Sequence, residues 1–256
     1  MFIKNPIKYF IVFLSVLTLA SCVSKSKLLY VQQNLANEKA NSFEITIQPD
    51  DVLQISISSE NPEVTIPYNK QAIVMMSSKE NAPEERRQIS YLVDSNGMID
   101  FPVLGKIKIA GLSKNQAIIQ IQDLLKEHVK DASVTIRILN FKLTVLGEVN
   151  KPGSFTIPSE RITLLEALGQ AGDMTIYGSR NNILVIRENN GIKTTKRIDI
   201  TKSDFMNSEW YYLSQNDVVY VEPNKTRINS SAVGPNLTIG ISALSLLVTI
   251  IALSTR

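Results

Sequence analysis

The single cysteine of this chain limits its folding options most, because one cysteine cannot form an internal disulfide. Cys22 directly follows the small residues Ala20 and Ser21, at the end of an apolar run that begins near Phe10. A basic start, an apolar run and a small-residue junction before a cysteine are typical of a bacterial lipoprotein signal. We therefore expect residues 1–21 to be removed and Cys22 to carry lipid. Hydrophobic packing alone must then stabilise the body of the protein.

Two other interpretations of the N-terminus remain open. The first is an ordinary secretory signal that happens to end close to a buried cysteine. The second is a membrane anchor, but the apolar run from Phe10 to Ala20 is shorter than the ~20 residues that span a bilayer. In the lipoprotein interpretation, residues 22–42 form a lipidated linker that precedes the folded body.

The charge of the mature chain is close to neutral. The full sequence has 27 lysines and arginines against 24 acidic residues, and the segment to be removed contains Lys4 and Lys8, which leaves 25 against 24. A net charge of +1 gives no electrostatic footprint for binding nucleic acid. Removing 21 of the 256 residues leaves enough chain for one or two hydrophobic cores.

The segment 43–140 predicts a compact α+β unit. Alternating apolar and polar residues, typical of half-buried strands, occur at 43–57, 89–103, 107–109, 134–138 and 143–145. The first two stretches contain turn residues and are predicted to form hairpins. Ser113 and Gln116 form a capping box that predicts a helix over residues 114–129. The stretch 59–88 contains three prolines and a run of charges, which predicts a long loop.

The segment 141–223 predicts a second unit, in which strands surround one helix. Thr163 and Glu166 form another capping box, and Gly172 is placed to end the helix that they start. Three stretches predict strands, at 183–186, 192–200 and 216–221. The first two of these flank a tight turn and are predicted to form a hairpin. This arrangement is typical of a β-grasp fold.

Four motifs in these two units carry a resemblance to a known family. Ile47–Leu53 and Val93–Ile107 resemble the polysaccharide biosynthesis/export domain of outer-membrane polysaccharide exporters, the Wza-type lipoproteins. Val145–Gly153 and Ile162–Asp173 resemble the soluble-ligand-binding β-grasp (SLBB) repeat that follows this domain in the family. The resemblance covers nearly all of residues 43–223 in the order that the family has.

The resemblance implies a fold, a role and partners. The implied fold is α+β, with a polysaccharide-export domain before one SLBB-like β-grasp domain. The implied role is export of capsular polysaccharide or exopolysaccharide through an oligomeric outer-membrane channel, with the bulk of each chain in the periplasm. The implied partners are the polysaccharide, a ring of identical copies and an inner-membrane co-polymerase that regulates chain length. Well-known members carry two β-grasp repeats, so a chain with one repeat is expected to reach less far into the periplasm.

The C-terminal segment 237–253 is strongly apolar and follows a linker over residues 224–236. As a helix its 17 residues would rise ~25 Å, which predicts a single transmembrane helix in a thin outer membrane. A polar stripe on this predicted helix is formed by Thr238, Ser242, Ser245 and Thr249. Three roles fit the stripe: packing against a neighbouring helix, lining of a water-filled lumen, or hydroxyls bonded to carbonyls of their own helix.

Trp210, Tyr211 and Tyr212 are the candidate sugar contacts, because aromatic faces combine a flat apolar surface with polar edges. The alternative is that they pack a strand against the β-grasp core. His128, the only histidine, is expected at the edge of the predicted helix. The acidic pairs at 50–51 and 84–85 are expected to be solvated. These residues do not predict acid–base catalysis, a cofactor or a metal site, and we expect no enzyme.

Two further function classes compete with an export channel. One is a monomeric glycan-binding lipoprotein of the cell envelope that forms no channel. The other is a glycan-modifying enzyme, whose activity would depend on an Asp or Glu side chain. Val23, rather than an aspartate, follows the cysteine, which favours sorting to the outer membrane.

Overall fold

The computed structural model describes residues 28–32, 43–69, 71–74, 85–189, 191–232 and 235–254. The strands are β1 (Val52–Ser58), β2 (Gln71–Val74), β3 (Glu85–Gln88), β4 (Tyr91–Leu92), β5 (Met98–Phe101), β6 (Gly105–Lys108), β7 (Ser133–Ile138), β8 (Lys142–Gly147), β9 (Gly153–Thr156), β10 (Gly178–Asn189), β11 (Ile192–Ile198) and β12 (Val218–Pro223). The α-helices are α1 (Pro62–Thr65), α2 (Lys114–Leu125), α3 (Leu164–Gln170), α4 (Lys225–Ala232) and α5 (Pro235–Ser254).

The first unit is built on a three-stranded antiparallel sheet in the order β4-β1-β7. Every second residue of β1 is buried, as the alternating sequence predicts. Helix α2 begins at the predicted capping box and buries Ala117, Ile121 and Leu125, which lie four residues apart on one face. This apolar face packs beside β7 and closes the core of the unit.

The predicted hairpin over residues 43–57 is wrong. β1 pairs with β4 and β7, and residues 43–48 instead run beside the segment before α2. There, the Ile47 amide donates to the Leu112 carbonyl at 2.9 Å, and the Gly111 amide donates to the Ile47 carbonyl at 2.9 Å. The second predicted hairpin is displaced, because β5 pairs with β6 and not with β4. Alternation identifies half-buried strands but does not identify their partners.

The stretch predicted as a loop contains regular structure. Asn61 caps helix α1, because its side chain accepts a hydrogen bond from the Glu63 amide. A short 3-10 helix, Ile66–Tyr68, follows α1. Strands β2 and β3 then pair antiparallel. Pro62 and Pro67 stand in first turns, where the missing amide of proline costs no hydrogen bond. These two prolines therefore start short helices.

The second unit is a five-stranded mixed sheet in the order β11-β10-β12-β8-β9, with β12 and β8 parallel. The predicted hairpin of β10 and β11 is confirmed, with Ile183 opposite Ile198. The capping box of Thr163 and Glu166 is also confirmed, and it starts α3. Helix α3 buries its apolar face against the sheet, so the strands surround one helix as the sequence predicts.

Helix α2 ends earlier than the sequence predicts. It stops at Leu125, and His128 lies in the turn that follows, where its side chain is exposed. The imidazole ring lies 6.1 Å from the ring of Tyr68. His128 therefore belongs to the surface of the first unit and not to the apolar face of the helix.

The prediction of a transmembrane helix over residues 237–253 is wrong. This segment lies in α5, but in the part of the chain that the structure describes, no helix combines the length and the apolarity needed to cross a membrane. Hydroxyl groups at Ser242, Ser245 and Thr249 interrupt the apolar surface of α5.

Gly147 ends β8 where a side chain has no room. Its φ is +90°, and a Cβ atom added there would lie 2.1 Å from the carbonyl oxygen of Val221 on the neighbouring strand β12. We predict that Gly147→Ala lowers the free energy of unfolding by at least about 3 kcal/mol, because it adds backbone strain and a clash with main-chain atoms. Urea denaturation, followed by the fluorescence of the single tryptophan, measures the change.

Gly153→Ala is the matched control for this prediction. Gly153 starts β9 in the same sheet, and an added Cβ atom would meet nothing within 4 Å. We expect its effect to stay within about 0.5 kcal/mol. Equal losses of stability in the two variants would contradict the steric argument.

Candidate functional site

Two turns of the same construction start the central strands of the two sheets. Asp51 precedes β1 and Asp217 precedes β12, and both side chains are almost completely buried. Each carboxylate accepts a hydrogen bond from a backbone amide three residues earlier, from Gln48 at 2.9 Å and from Ser214 at 2.8 Å. The residue before each aspartate has a positive φ, of 68° and 63°. The two units therefore repeat one turn at equivalent positions.

The two turns meet each other. Gln215, in the second turn, donates from Nε2 to Asp51 Oδ1 at 2.7 Å and to Asn140 Oδ1 at 3.3 Å. Asn140 lies between β7 and β8, where the chain passes from one unit to the other. It accepts from the Val52 amide at 2.8 Å and donates to the Asp50 carbonyl at 2.9 Å. We name Asp51, Asn140 and Gln215 the junction triad.

The two buried carboxylates differ in their electrostatic surroundings. Burial raises the pKa of Asp51 to about 6; the hydrogen bond from Gln48 opposes this shift, and the charge of Asp50 adds to it. Burial also raises the pKa of Asp217, but Arg187 opposes the shift by donating from Nη2 to Oδ2 at 2.7 Å and from Nε to Oδ1 and Oδ2 at 3.0 and 3.2 Å. The prediction that the acids at 50–51 are solvated is therefore wrong for Asp51.

Arg187 also fixes the aromatic segment that the sequence singles out. Its Nη2 atom donates to the Tyr212 carbonyl at 3.0 Å, and its Cζ atom lies 4.5 Å from the centroid of the Trp210 ring. Trp210 is buried, whereas Tyr211 and Tyr212 are half-buried. Burial raises the pKa of the Tyr211 hydroxyl above its ordinary value. For Trp210, these contacts favour packing over sugar contact.

Tyr212 stands beside a groove between the two units. Its ring lies 5.0 Å from the ring of Phe43, and the Cζ atom of Arg161 lies 5.2 Å from the Tyr212 centroid. Phe43 and Arg161 line a cavity of about 280 Å³. The other lining residues are Glu44, Ile45, Lys114, Asn115 and Glu160. We name this cavity the junction groove.

The junction groove combines aromatic surface with hydrogen-bonding groups. Lys114 of the first unit forms an ion pair with Glu160 of the second, and Asn115 contacts Glu44 at 3.5 Å. Two cations and two carboxylates are donors and acceptors for hydroxyl groups, and the aromatic rings offer flat apolar faces. This combination is suited to weak contact with sugars. Phe43 and Arg161 have no sequence motif, because they come from distant segments that only the fold brings together.

The remaining predicted site residues lie at the two ends of the chain. Cys22 lies outside the described residues, and so does the side chain of Thr238. The Ser245 hydroxyl donates to the Ser242 carbonyl at 2.8 Å, and the Thr249 hydroxyl donates to the Ser245 carbonyl at 2.8 Å. These bonds are the ones that the third interpretation of the stripe expects. Lipid attachment at Cys22 and a packing or lumen role for the stripe stay predictions.

The raised pKa of Asp51 predicts a pH-dependent stability. The folded state binds a proton at Asp51 below about pH 6, whereas the unfolded state binds it only near the ordinary value of 3.8, so this residue's contribution to stability falls as the pH rises from 4 to 6. Asp51→Asn removes this contribution. We expect the stability of the variant relative to wild type to increase between pH 4 and pH 7 by up to about 3 kcal/mol.

Urea denaturation at a series of pH values measures this difference. Asp123→Asn is the control, because Asp123 is exposed on α2. If the two variants show the same pH dependence relative to wild type, Asp51 does not titrate in the way that its burial indicates.

Family profiles match both units. Residues 39–139 match the family described as polysaccharide biosynthesis/export protein, and residues 142–221 match the SLBB domain. Two residues lie between the matches, and one of them is Asn140 of the junction triad.

Similar proteins are known in Ralstonia. The EPS I polysaccharide export outer membrane protein EpsA of Ralstonia solanacearum is 33% identical over 141 residues, which cover 54% of this chain and 37% of that protein. The protein of the same name in Ralstonia nicotianae is 33% identical over 144 residues, with the same shares. The chain therefore spans little more than a third of the length of these relatives. It contains a polysaccharide biosynthesis/export domain followed directly by an SLBB domain.

Proposed function

We propose that the protein exports polysaccharide across the outer membrane as a subunit of a ring-shaped homo-oligomer. The observation that carries the proposal is the tandem of an export domain and an SLBB domain joined through the junction triad. The relatives in Ralstonia, named as EPS I polysaccharide export outer membrane proteins, support exopolysaccharide as the substrate class. The proposed role is transport without catalysis.

The surface of α5 supports the oligomer. All residues from 239 to 250 are exposed, and seven of them are large and apolar: Ile239, Ile241, Leu244, Leu246, Leu247, Val248 and Ile250. An exposed apolar surface of this extent marks an interaction site in a stable protein. In the proposed ring, equivalent helices of neighbouring copies cover this surface.

The junction groove supports contact with the moving polymer. A conduit requires weak contacts, because tight binding at each step would stall the chain. The groove is lined by one aromatic ring, that of Phe43, with the Tyr212 ring beside it, and by polar groups rather than being an enclosed, dry pocket. Tyr212 and Phe43 are therefore the proposed sugar contacts, and Trp210 and Tyr211 hold the segment in place.

The proposed location is the periplasmic side of the outer membrane, with lipid on Cys22 as the anchor. Several acyl chains together hold a protein stably at a membrane, whereas one chain does not. An inner-membrane co-polymerase is the proposed partner that delivers the polymer. The family's role in export supports this partner, because the polymer must cross the periplasm before it reaches the ring.

Deletion of the gene and measurement of the size of the purified protein test the proposed function. In a strain that lacks the protein, we expect polysaccharide to accumulate inside the cell envelope, and the wild-type gene to restore secretion. Cys22→Ser should release the protein from outer-membrane fractions and reduce secretion. The protein purified in mild detergent should have the size of a multi-subunit ring. A monomer that binds glycan, in a strain that still secretes normally, would overturn the channel in favour of a glycan-binding lipoprotein.

A variant of the groove tests the proposed sugar contact. Tyr212→Ala removes one aromatic face and is expected to weaken binding of the strain's own exopolysaccharide roughly two- to tenfold, in line with the ~0.5–1.5 kcal/mol of an aromatic contact. Affinity electrophoresis through gels that contain the polymer measures the retardation.

Tyr220→Ala is the control for the groove. Tyr220 is an exposed tyrosine on β12 of the same sheet, away from the residues that line the groove. Thermal unfolding of both variants shows whether either change disturbs the fold. Equal retardation of the Tyr212 variant and wild type would contradict the proposal that the junction groove contacts the polymer.

A further inference from the structure

The segment that follows Cys22 is fastened to the SLBB domain. The Val31 amide donates to the Ile200 carbonyl at 3.0 Å, and the Gln32 amide donates to the Thr201 carbonyl at 2.9 Å. The Tyr30 hydroxyl donates to Asp173 Oδ1 at 2.6 Å. We name residues 30–32 the clasp, because side-chain and main-chain bonds both hold it.

A buried cation lies beneath the clasp. Arg180 donates from Nη1 to the carbonyls of Thr175 and Gly178, at 2.7 and 2.8 Å, and its Cζ atom lies 5.8 Å from the centroid of the Tyr30 ring. Burial, together with the hydrogen bond to Asp173, raises the pKa of Tyr30 to about 12, so its hydroxyl remains a donor at neutral pH. The hydroxyl of Tyr30 therefore binds Asp173, and its ring lies beside Arg180, which itself binds two carbonyls of the loop 173–178.

The clasp shortens the reach between the lipid and the SLBB domain. Tyr30 lies eight positions after Cys22, and an extended chain spans at most ~3.6 Å per residue, or about 29 Å in all. Without the clasp, the first fixed residue would be Phe43, 21 positions after Cys22, which would allow about 76 Å. A lipid on Cys22 thus brings the loop 173–178 close to the surface of the bilayer.

Exposed apolar side chains flank the bond between Tyr30 and Asp173 along both segments. Leu28 and Leu29 precede Tyr30 and are 40% and 45% exposed, and Ile176 and Tyr177 follow Asp173 and are 65% and 38% exposed. Folding of the chain leaves these side chains in water, although each of them favours an apolar environment.

Cationic side chains lie beside the same loop. Arg227 has its Cζ atom 5.4 Å from the centroid of the Tyr177 ring, and its Nε atom donates to Glu148 Oε1 at 3.2 Å, but its side chain is still 56% exposed. Lys151 is exposed, and its side chain passes Gly172. Leucine, isoleucine and tyrosine beside lysine and arginine are the residues that bind the interface of a bilayer, with apolar groups in the acyl boundary and cations at the phosphates.

We propose that Leu28, Leu29, Ile176 and Tyr177 enter the surface of the periplasmic leaflet of the outer membrane, with Lys151 and Arg227 at the lipid phosphates. This inference rests on the proposed function, because it requires lipid on Cys22. The clasp then does more than fasten the linker. It sets which surface of the SLBB domain contacts the membrane, so that each subunit of a ring stands in the same orientation.

A fluorophore that reports polarity tests the contact. The lipidated full chain carries Ile176→Cys, which supplies the one free thiol for labelling, because Cys22 is acylated. Ile192→Cys is the matched control, since Ile192 is 67% exposed at the start of β11 and Ile176 is 65% exposed. Vesicles of phosphatidylethanolamine and phosphatidylglycerol are added, and emission and quenching by lipids with a quencher in the acyl chain are recorded.

We expect emission at position 176 to rise on the order of twofold with vesicles and to be quenched by the labelled lipid, as for a side chain that enters the interface. Emission at position 192 should not change. If the protein floats with the vesicles but both positions respond alike, the contact is overturned while the lipid anchor stands. If emission at 176 rises with protein concentration before vesicles are added, a second copy covers the surface, and the proposal is wrong. If the unlabelled protein does not float with vesicles, both the lipid anchor at Cys22 and the proposed membrane contact are wrong.

Discussion

The hydrogen bond from Gln215 to Asp51 joins two turns, each of which starts the central strand of its sheet. A buried carboxylate must be hydrogen-bonded, and the backbone amide of Gln48 satisfies only one of its oxygen atoms. The second oxygen depends on a side chain from the other unit. The turn before β1 is therefore fully hydrogen-bonded only when the SLBB domain is in place. The stability of the export domain thus depends on its contact with the SLBB domain.

In the second turn, the buried carboxylate of Asp217 finds its hydrogen-bond donors within its own unit. The buried Asp217 carboxylate binds the guanidinium group of the partly buried Arg187, which also donates to the Tyr212 carbonyl and lies over the Trp210 ring. Removing one partner of such a pair would leave an uncompensated buried charge, which costs about 3–5 kcal/mol. The pair therefore gives the segment 210–217 one conformation. That conformation places Tyr212 at the junction groove and Gln215 at Asp51, so one ion pair positions both the proposed sugar contact and the link between the units.

Local chemistry made part of this structure predictable. The capping boxes at Ser113 and Thr163 and the hairpin of β10 and β11 depend on residues close in sequence, and all three are confirmed. The partners of β1 lie about 40 and 80 residues away, and alternation carries no information about them. The burial of Asp51 was hidden for the same reason, because Gln215, which covers it, is 164 residues distant. Hydropathy alone also predicted a transmembrane helix in the C-terminal segment, which the structure does not support.

The contacts of the clasp lie on the SLBB domain, at Asp173, Ile200 and Thr201. In the proposed assembly, the lipid anchor therefore holds each subunit through its second unit, and the covalent chain and the junction triad connect the export domain to that unit. Any force that the proposed polymer exerts on the export domain would pass through these links to the anchor. A neutral donor such as Gln215 suits this position, because it hydrogen-bonds the Asp51 carboxylate without the desolvation penalty of a second buried charge. Burial raises the pKa of the Asp51 carboxyl to about 6, and the neutral glutamine adds no positive charge that would oppose this shift.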